Sequence, residues 1–254
     1  MKFTILGGSG LIGSQVVERL TAAGHDTVPA SLSTGVDVIS GKGLEQVLEG
    51  ADVLVNLTNS PVFDESSIDF FETSMSNVRA AAEAADVRHY VILSIVGVDQ
   101  VPQLDYYRAK ALQENLLEGG PTPYTIVRAT QFFEFVQAFM SWTTEGDTVR
   151  LPSTPLQPMA SADVAAAVVR AASDTPLQGI RNIAGPEVFT LDELARITLA
   201  ARPDGRHVVT DDQAGMFAVV TGGVLIAPED ADLAPTRYRD WLQQQPQPDA
   251  GRQP

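Results

Sequence analysis

Short apolar runs alternate along the first half of the chain with stretches whose apolar residues recur at helical spacing. "KFTILGG" reads as a strand ending in glycines, and "LIGSQVVERLTAAG" as a helix that stops at Gly24. "HDTVPAS" is a second strand and "GLEQVLEG" a short helix closed by Gly50. "ADVLVNLTN" and "HYVILSIVGV" are near-continuous apolar strands, separated by the long alanine-rich helix "FFETSMSNVRAAAEAADV". "YYRAKALQENLLEGG" is helical, and "YTIVRAT" is a strand again. Strands buried on both faces and joined by helices make an α/β protein with a doubly wound parallel sheet. Right-handed crossovers gather the strands' C-terminal ends on one edge, where ligands bind.

The pattern is less regular after residue 150. "SADVAAAVVRAAS" and "TLDELARITLAA" read as helices with the strand "GIRNIAGPE" between them, and Thr190 with Glu193 forms a predicted capping box. Residues 1–150 are thus expected to form the main domain, and 151–242 a smaller α+β substrate-binding portion. The tail 243–254 has no apolar period and is expected to be disordered. Tyr238 and Trp241, three residues apart, are expected to anchor the C-terminal end.

With 44% hydrophobic and 19% charged residues, the 254-residue chain can bury a sizeable core. It has no apolar run long enough for a membrane span and no signal-peptide pattern, so the expected location is the cytoplasm. The net charge of −15, with no lysine or arginine cluster, argues against nucleic-acid and anionic-membrane partners. Cysteine is absent, which excludes thiolate chemistry and cysteine metal sites. His25, His89 and His207 are scattered without ligand spacing, so no metal is expected.

The first candidate site is "GGSGLIG", directly after a strand and opening a helix. Gly7 permits the tight turn, Gly10 lets the backbone approach a pyrophosphate, and Gly13 lets the helix pack closely on the sheet. Ser9, Leu11 and Ile12 are the intervening cofactor-side positions, at a helix N-terminus that offers amides and positive dipole to an anion. An acid that would bind a ribose 2′-hydroxyl belongs at the end of the second strand, where the chain has Ala30, Ser31, Leu32 and Ser33 instead. Without that carboxylate, and with Ser31, Ser33 and Thr34 as donors, NADP(H) is favoured over NAD(H).

A second candidate lies in "LDYYRAKALQE". On a helix Lys110 shares a face with both Tyr106, four residues back, and Tyr107, three back. A phenol with a pKa near ~10 becomes a useful acid or base near neutrality when an ammonium stabilises its phenolate. Either tyrosine satisfies the spacing.

These motifs resemble the short-chain dehydrogenase/reductase superfamily, and most closely its atypical NmrA-like, NAD(P)H-binding branch. The matching stretches include "GGSGLIG", "ADVLVNLTNS", "SNVRAAAEAADVRHYVILSIVGVD", "YYRAK", "PYTIVRATQFFEF", "QPMASADVAAAV" and "GPEVFTLDELARI", in the superfamily's order. The resemblance implies a Rossmann fold, with Gly7, Gly10 and Gly13 as the cofactor fingerprint. It implies Asp37 and Val38 near adenine, and Asn56, Leu57 and Thr58 along the adenosine ribose. Tyr106 and Lys110 would fill the Y-x-x-x-K pattern, the phenol as proton donor and the ammonium on the nicotinamide ribose, with Ser94 as the catalytic serine. The sequence departs from many relatives in having one serine in "ILSIVGV", and its "NLTNS" lacks the N-N-A-G run of the compact reductases.

"TQFFEFVQAFMSW" concentrates aromatic residues after a strand end, so Phe132 and Phe133 are candidate walls of an apolar pocket and Gln131 a polar contact. Arg128, inside a strand, is expected to be paired. The reading that follows is an NADP(H)-dependent reductase of a carbonyl or quinone in a small apolar molecule. A redox sensor that binds NADP without turnover and a non-redox isomerase or lyase are the alternatives. The alanine-rich helix and the Tyr107 helix are candidate homodimer surfaces.

Overall fold

The computed structural model describes residues 1–245, so the expected tail from 246 onward lies outside the described residues. The elements are β1 (Lys2–Leu6), α1 (Leu11–Ala22), β2 (Asp26–Ala30), α2 (Leu44–Leu48), β3 (Val53–Asn56), α3 (Ser66–Ala84) and β4 (His89–Ile95). There follow α4 (Asp105–Glu118), β5 (Tyr124–Ala129), α5 (Val136–Trp142), β6 (Thr144–Glu145), β7 (Thr148–Leu151), β8 (Pro155–Leu156) and α6 (Ser161–Ser173). The chain continues with β9 (Gly179–Ala184), β10 (Phe189–Thr190), α7 (Leu191–Ala201), β11 (His207–Thr210), β12 (Asp232–Leu233) and α8 (Tyr238–Gln244).

The main sheet has the order β12-β9-β5-β4-β3-β1-β2. Its pairs from β2 through β1, β3, β4 and β5 to β9 are all parallel. β2 is an edge strand, and this is why Pro29, which has no N–H to give to a ladder, is tolerated there. The central strands are covered on both sides, and all four residues of β3 are buried. Leu54 and Asn56 stand in register with Tyr90 and Ile92, and Ile92 with Ile126. Leu54, Tyr90, Ile92 and Ile126 form one core with Leu44 of α2, Met75 and Val78 of α3 and Leu117 of α4. On α1, Ile12, Val16 and Leu20 are buried at helical spacing, and Gln15 donates to Ser161 Oγ of α6 over 3.0 Å.

Two compact units are resolved, and they are interleaved along the chain. The first comprises Met1–Ala129, Ser161–Ile183 and Ala227–Asp232; the second comprises Thr130–Ala160, Ala184–Ile226 and the chain from Leu233. Residues 130–150, read from sequence as part of the main domain, therefore run with the second unit, while α6 and most of β9 run with the first. The reason lies in the topology: β9 adds to β5 as a further parallel strand, and α6 is the crossover between them. Within the second unit, β6 and β11 flank β7, and β8 pairs with β10. There α8 is held by Tyr238, which shares a 2.6 Å hydrogen bond with Thr198 of α7 and stacks on Trp241. α8 runs to Gln244, so Gln243 and Gln244 are helical rather than disordered; Tyr238 and Leu242, one turn apart, are buried and hold the helix down.

The capping box expected at Thr190 does not form. Thr190 is the N-cap but makes no capping bond; its hydroxyl donates to Asp192 Oδ1, and the Glu193 amide goes to that same oxygen. Asp192 lies nearer the first-turn amides than Glu193 and is also clamped by Arg196 and Thr210, so its carboxyl is held below the usual range. His89 is buried against Thr125, and burial lowers its pKa to about 4, so it is a neutral core residue.

Arg128 is paired as its strand position requires. It makes two bonds to Glu114 of α4, at 2.9 and 2.6 Å, and a third to Asp99 at 3.3 Å. The pair ties α4 to β5 near the C-terminal ends of the parallel strands. Glu114→Gln is expected to cost about 3 kcal/mol in urea unfolding, because it leaves a guanidinium without its main counter-charge in a mostly buried place. A loss below about 1 kcal/mol would show the pair to be of the exposed, weakly stabilising kind.

Candidate functional site

The glycine turn is built by backbones in close approach. Gly7 has φ +77°, and a Cβ there would lie 2.7 Å from the Leu57 carbonyl oxygen. A Cβ on Gly13 would fall 2.1 Å from the Gly7 carbonyl oxygen, so α1 reaches the turn only because residue 13 has no side chain. The Gly7 amide donates to Ala30 at the end of β2 over 2.9 Å, tying the turn to the neighbouring strand. Gly10 is the N-cap of α1 with no side-chain capping bond, and the first turn carries no acid. Leu11 is exposed above it while Ile12 packs inward. An open helix N-terminus fed by a glycine turn fits the pyrophosphate of a dinucleotide, which would be held by amides of the turn other than those of Gly7, Gly8 and Gly10, already given to Ala30 and Gly7 carbonyls.

At the end of β2, Ser31 and Ser33 share a 2.8 Å hydroxyl bond, and Thr34 closes a turn by donating to the Ser31 carbonyl and accepting from its amide. The serine side chains are accessible and uncharged, with no carboxylate among residues 30–36. Asp37 spends its carboxylate on its own loop, accepting from Ile39 N and Ser40 Oγ, and these bonds hold its pKa below the usual value. Asn77 of α3 pins that loop by donating to the carbonyls of Val38 and Ile39, at 3.1 and 2.8 Å. These bonds to the loop are the observed role of Asn77.

The end of β3 is similarly specified. Asn56 is buried, donates to Tyr90 Oη over 2.8 Å and accepts from both the amide and the hydroxyl of Thr58. Its side chain therefore shapes the Leu57–Thr58 turn rather than projecting from it. Tyr90, fully buried, has its pKa raised well above the ordinary value by desolvation. Asn59, the other asparagine of "NLTNS", is exposed and accepts a 2.6 Å hydrogen bond from the Tyr106 hydroxyl. Its part in the site was missed from sequence, because nothing local links residue 59 to a helix 47 positions later.

The two tyrosines separate clearly. Tyr107 is buried, at 3% exposure, whereas Tyr106 is half-buried and turns its hydroxyl to the β3–α3 loop. The Tyr106 ring meets Phe63 edge-on at 4.9 Å and lies 6.4 Å from Phe71. Burial pushes its pKa up to about 12, partly offset by the bond to Asn59. Lys110, one turn on, is buried beneath: it donates to the Leu93 carbonyl over 2.7 Å and to Gln113, with its ammonium 5.0 Å from the centre of the Phe71 ring. Leu93 immediately precedes Ser94, so this bond joins α4 to the end of β4. Ser94 Oγ is buried with no hydrogen-bond partner among the described residues.

In the second unit, Gln131 is buried, its backbone carbonyl accepting from the Met159 amide at 2.9 Å. Phe132 is half-buried and stacks on Phe135. Phe133 departs from the expected pocket wall: it is 1% exposed and packs on Tyr238 and Trp241, which makes it the second unit's core. Among the described residues no cluster of possible metal ligands occurs, and no helix is long and apolar enough to cross a membrane.

Two outcomes follow from this geometry. Gly13→Ala is expected to cost about 2 kcal/mol of stability by overpacking and to abolish dinucleotide affinity in calorimetry; an unchanged affinity would mean the turn is not the phosphate cradle. Burial also brings the Lys110 pKa from 10.5 down to about 7, against the favourable field of Glu114. Between those values the unfolded chain binds a proton that the folded chain has released, so stability rises with pH across that window. The wild type should therefore gain on Lys110→Met in urea unfolding as pH is raised from about 7 to about 9; parallel curves would show an unshifted lysine.

Comparison with known proteins agrees with this geometry. Over 205 residues the chain is 29% identical to a (4-alkanoyl-5-oxo-2,5-dihydrofuran-3-yl)methyl phosphate reductase of Streptomyces griseus, covering 74% of this chain and 70% of the relative. MoeE5 in complex with UDP-glucose and NAD shares the fold with a TM-score of 0.76 at 18% identity, covering 96% of this chain and 97% of that one. An NADPH-dependent quinone oxidoreductase from Escherichia coli, complexed with NADPH, has a TM-score of 0.64 at 22% identity over 82% of this chain and 77% of that one. Residues 7–175 match the family described as NAD(P)H-binding. The glycine turn, the uncapped helix and the parallel sheet are thus parts of a Rossmann fold, and the chain belongs to the NAD(P)H-binding family.

Proposed function

We propose that the protein is an NADP(H)-dependent reductase of a carbonyl, or a quinone, in a small apolar molecule. The observation that carries this reading is the junction of α4 with the end of β4. Lys110 is bonded to the residue before Ser94, Ser94 has an unspent buried hydroxyl, and the Tyr106 phenol stands one helical turn from Lys110. A bound reduced dinucleotide supplies the hydride. Ser94 holds the substrate oxygen by donating a hydrogen bond, and Tyr106 gives its proton to that oxygen as negative charge develops. A phenol with a pKa near 12 is fully protonated at neutral pH, as an acid in the reductive direction must be. Lys110 holds the nicotinamide ribose, and displacement from Leu93 or Gln113 would bring its ammonium toward that hydroxyl.

The accessible Ser31 and Ser33 hydroxyls, with no carboxylate beside them, support NADP(H) over NAD(H). The Streptomyces relative is named as a reductase of a molecule with alkanoyl and oxo groups, which supports a carbonyl-bearing substrate with an apolar portion. Phe132 and Gln131 remain the proposed substrate-side residues, and a homodimer and a cytoplasmic location are proposed with them.

The test is calorimetric titration with NADPH, NADP, NADH and NAD, beside a carbonyl and quinone turnover screen of wild type and Tyr106→Phe. NADPH should bind more tightly than NADH, and the variant should lose roughly 10²- to 10⁴-fold in turnover with dinucleotide affinity kept. Binding of one redox form without any turnover would move the assignment to a redox sensor. A fully active variant would remove Tyr106 from the chemistry.

A further inference from the structure

We infer that Asn59 is the positioning residue of the Tyr106 phenol, serving it in both protonation states. The inference rests on the reductase reading for its catalytic meaning, and on geometry for its physical content. In the resting state Asn59 Oδ1 accepts the phenol proton at 2.6 Å. A carboxamide differs from every charged alternative in carrying an acceptor and a donor on one flat group. When Tyr106 has given its proton away, half a turn of that amide presents N–H to the phenolate. Asn59 is exposed, so the rotation meets no packed core.

The surroundings leave this task to Asn59. The rings against Tyr106 are Phe63 of the β3–α3 loop and Phe71 of α3, neither able to donate a hydrogen bond. On its own helix, Asp105 is paired with Arg108, and Lys110 is turned to the Leu93 carbonyl and Gln113. Asn56, three residues earlier, is buried and committed to Tyr90 and Thr58, which leaves Asn59 as the asparagine of "NLTNS" that faces the phenol.

The balanced step is as follows. A reduced nicotinamide dinucleotide gives hydride to the carbonyl carbon, the Tyr106 O–H bond breaks, and an O–H bond forms on the substrate oxygen. The phenolate left behind is held by the Asn59 N–H until solvent, which reaches this exposed residue, returns the proton.

The test uses the full chain with tyrosine labelled at Cζ, so that NMR follows the onset of Tyr106 ionisation, assigned by its loss in Tyr106→Phe. Asn59→Ala removes the donor, and Asn59→Asp replaces it with a group of equal size that repels a phenolate. Both should move the onset to higher pH, the aspartate further and by about one pH unit or more, while Tyr107 and Tyr90 stay unchanged. Asn59→Ser, which keeps a donor and an acceptor, should recover part of the shift. In turnover, Asn59→Ala should lower kcat roughly 10²-fold with KM for both substrates within about twofold. A Tyr106 titration indifferent to residue 59, or an aspartate variant that behaves as wild type, would overturn the inference even where Tyr106→Phe is inactive. A titration that follows residue 59 while Tyr106→Phe remains active would leave Asn59 in control of the phenol and remove Tyr106 from the chemistry; the same titration in a wild type that turns over no substrate would sink the reductase reading instead.

Discussion

The structure depends on one steric constraint: three backbones meet where no side chain fits. Gly13 approaches Gly7 so closely that a Cβ would overlap the carbonyl, and Gly7 in turn sits against Leu57 at the end of β3. This junction sets the first turn of α1 at the sheet's C-terminal edge, between β2 and β3, with its amides facing outward. Any ordinary residue at these positions would push the helix off the sheet. The helix would then lose both its packing and its aim at an anion. The serine turn after β2, the Asn77-anchored loop and the Asn56-specified turn after β3 are all referred to that fixed point.

A second constraint governs the chemistry. Lys110 is buried among Leu93, Gln113 and Phe71, and burial, opposed by the field of Glu114, brings its pKa down to about 7. Holding it there offsets the desolvation of the lysine with two hydrogen bonds and fixes α4 against β4. The same packing leaves Tyr106 with its phenol toward a neutral amide rather than toward the lysine. On the proposed reading, the resting site is set for proton donation, and stabilising a phenolate there depends on rotation of the Asn59 amide that now accepts the phenol proton.

Much of the fold was legible because parallel strands buried on both faces leave unbroken apolar runs, and the helices between them leave a period near four. β5 and α6 were read almost residue for residue, and β1, β3 and β4 in the right places but two to five residues too long. The glycine spacing was legible because a close backbone approach admits one residue type. The interleaving of the two units was not, since "GIRNIAGPE" as a strand says nothing about which sheet it joins. Phe133 and Thr190 misled for a related reason. An aromatic residue after a strand end can face a cleft or its own unit's core, and a threonine can cap through itself or hand the task to Asp192. Tyr106 and Tyr107 were inseparable by spacing, because both lie within one turn of Lys110; burial separated them. Asn59 needed a contact across 47 residues that no local pattern encodes.

The most direct test of the account is a crystal structure of the protein bound to NADP. The account predicts the pyrophosphate on the Gly7–Gly13 turn, the 2′-phosphate on Ser31 and Ser33, and the nicotinamide ring beside Ser94 and Tyr106, with Lys110 released from Leu93 onto the ribose. A nicotinamide directed away from Tyr106, with Lys110 still buried on Leu93, would contradict it.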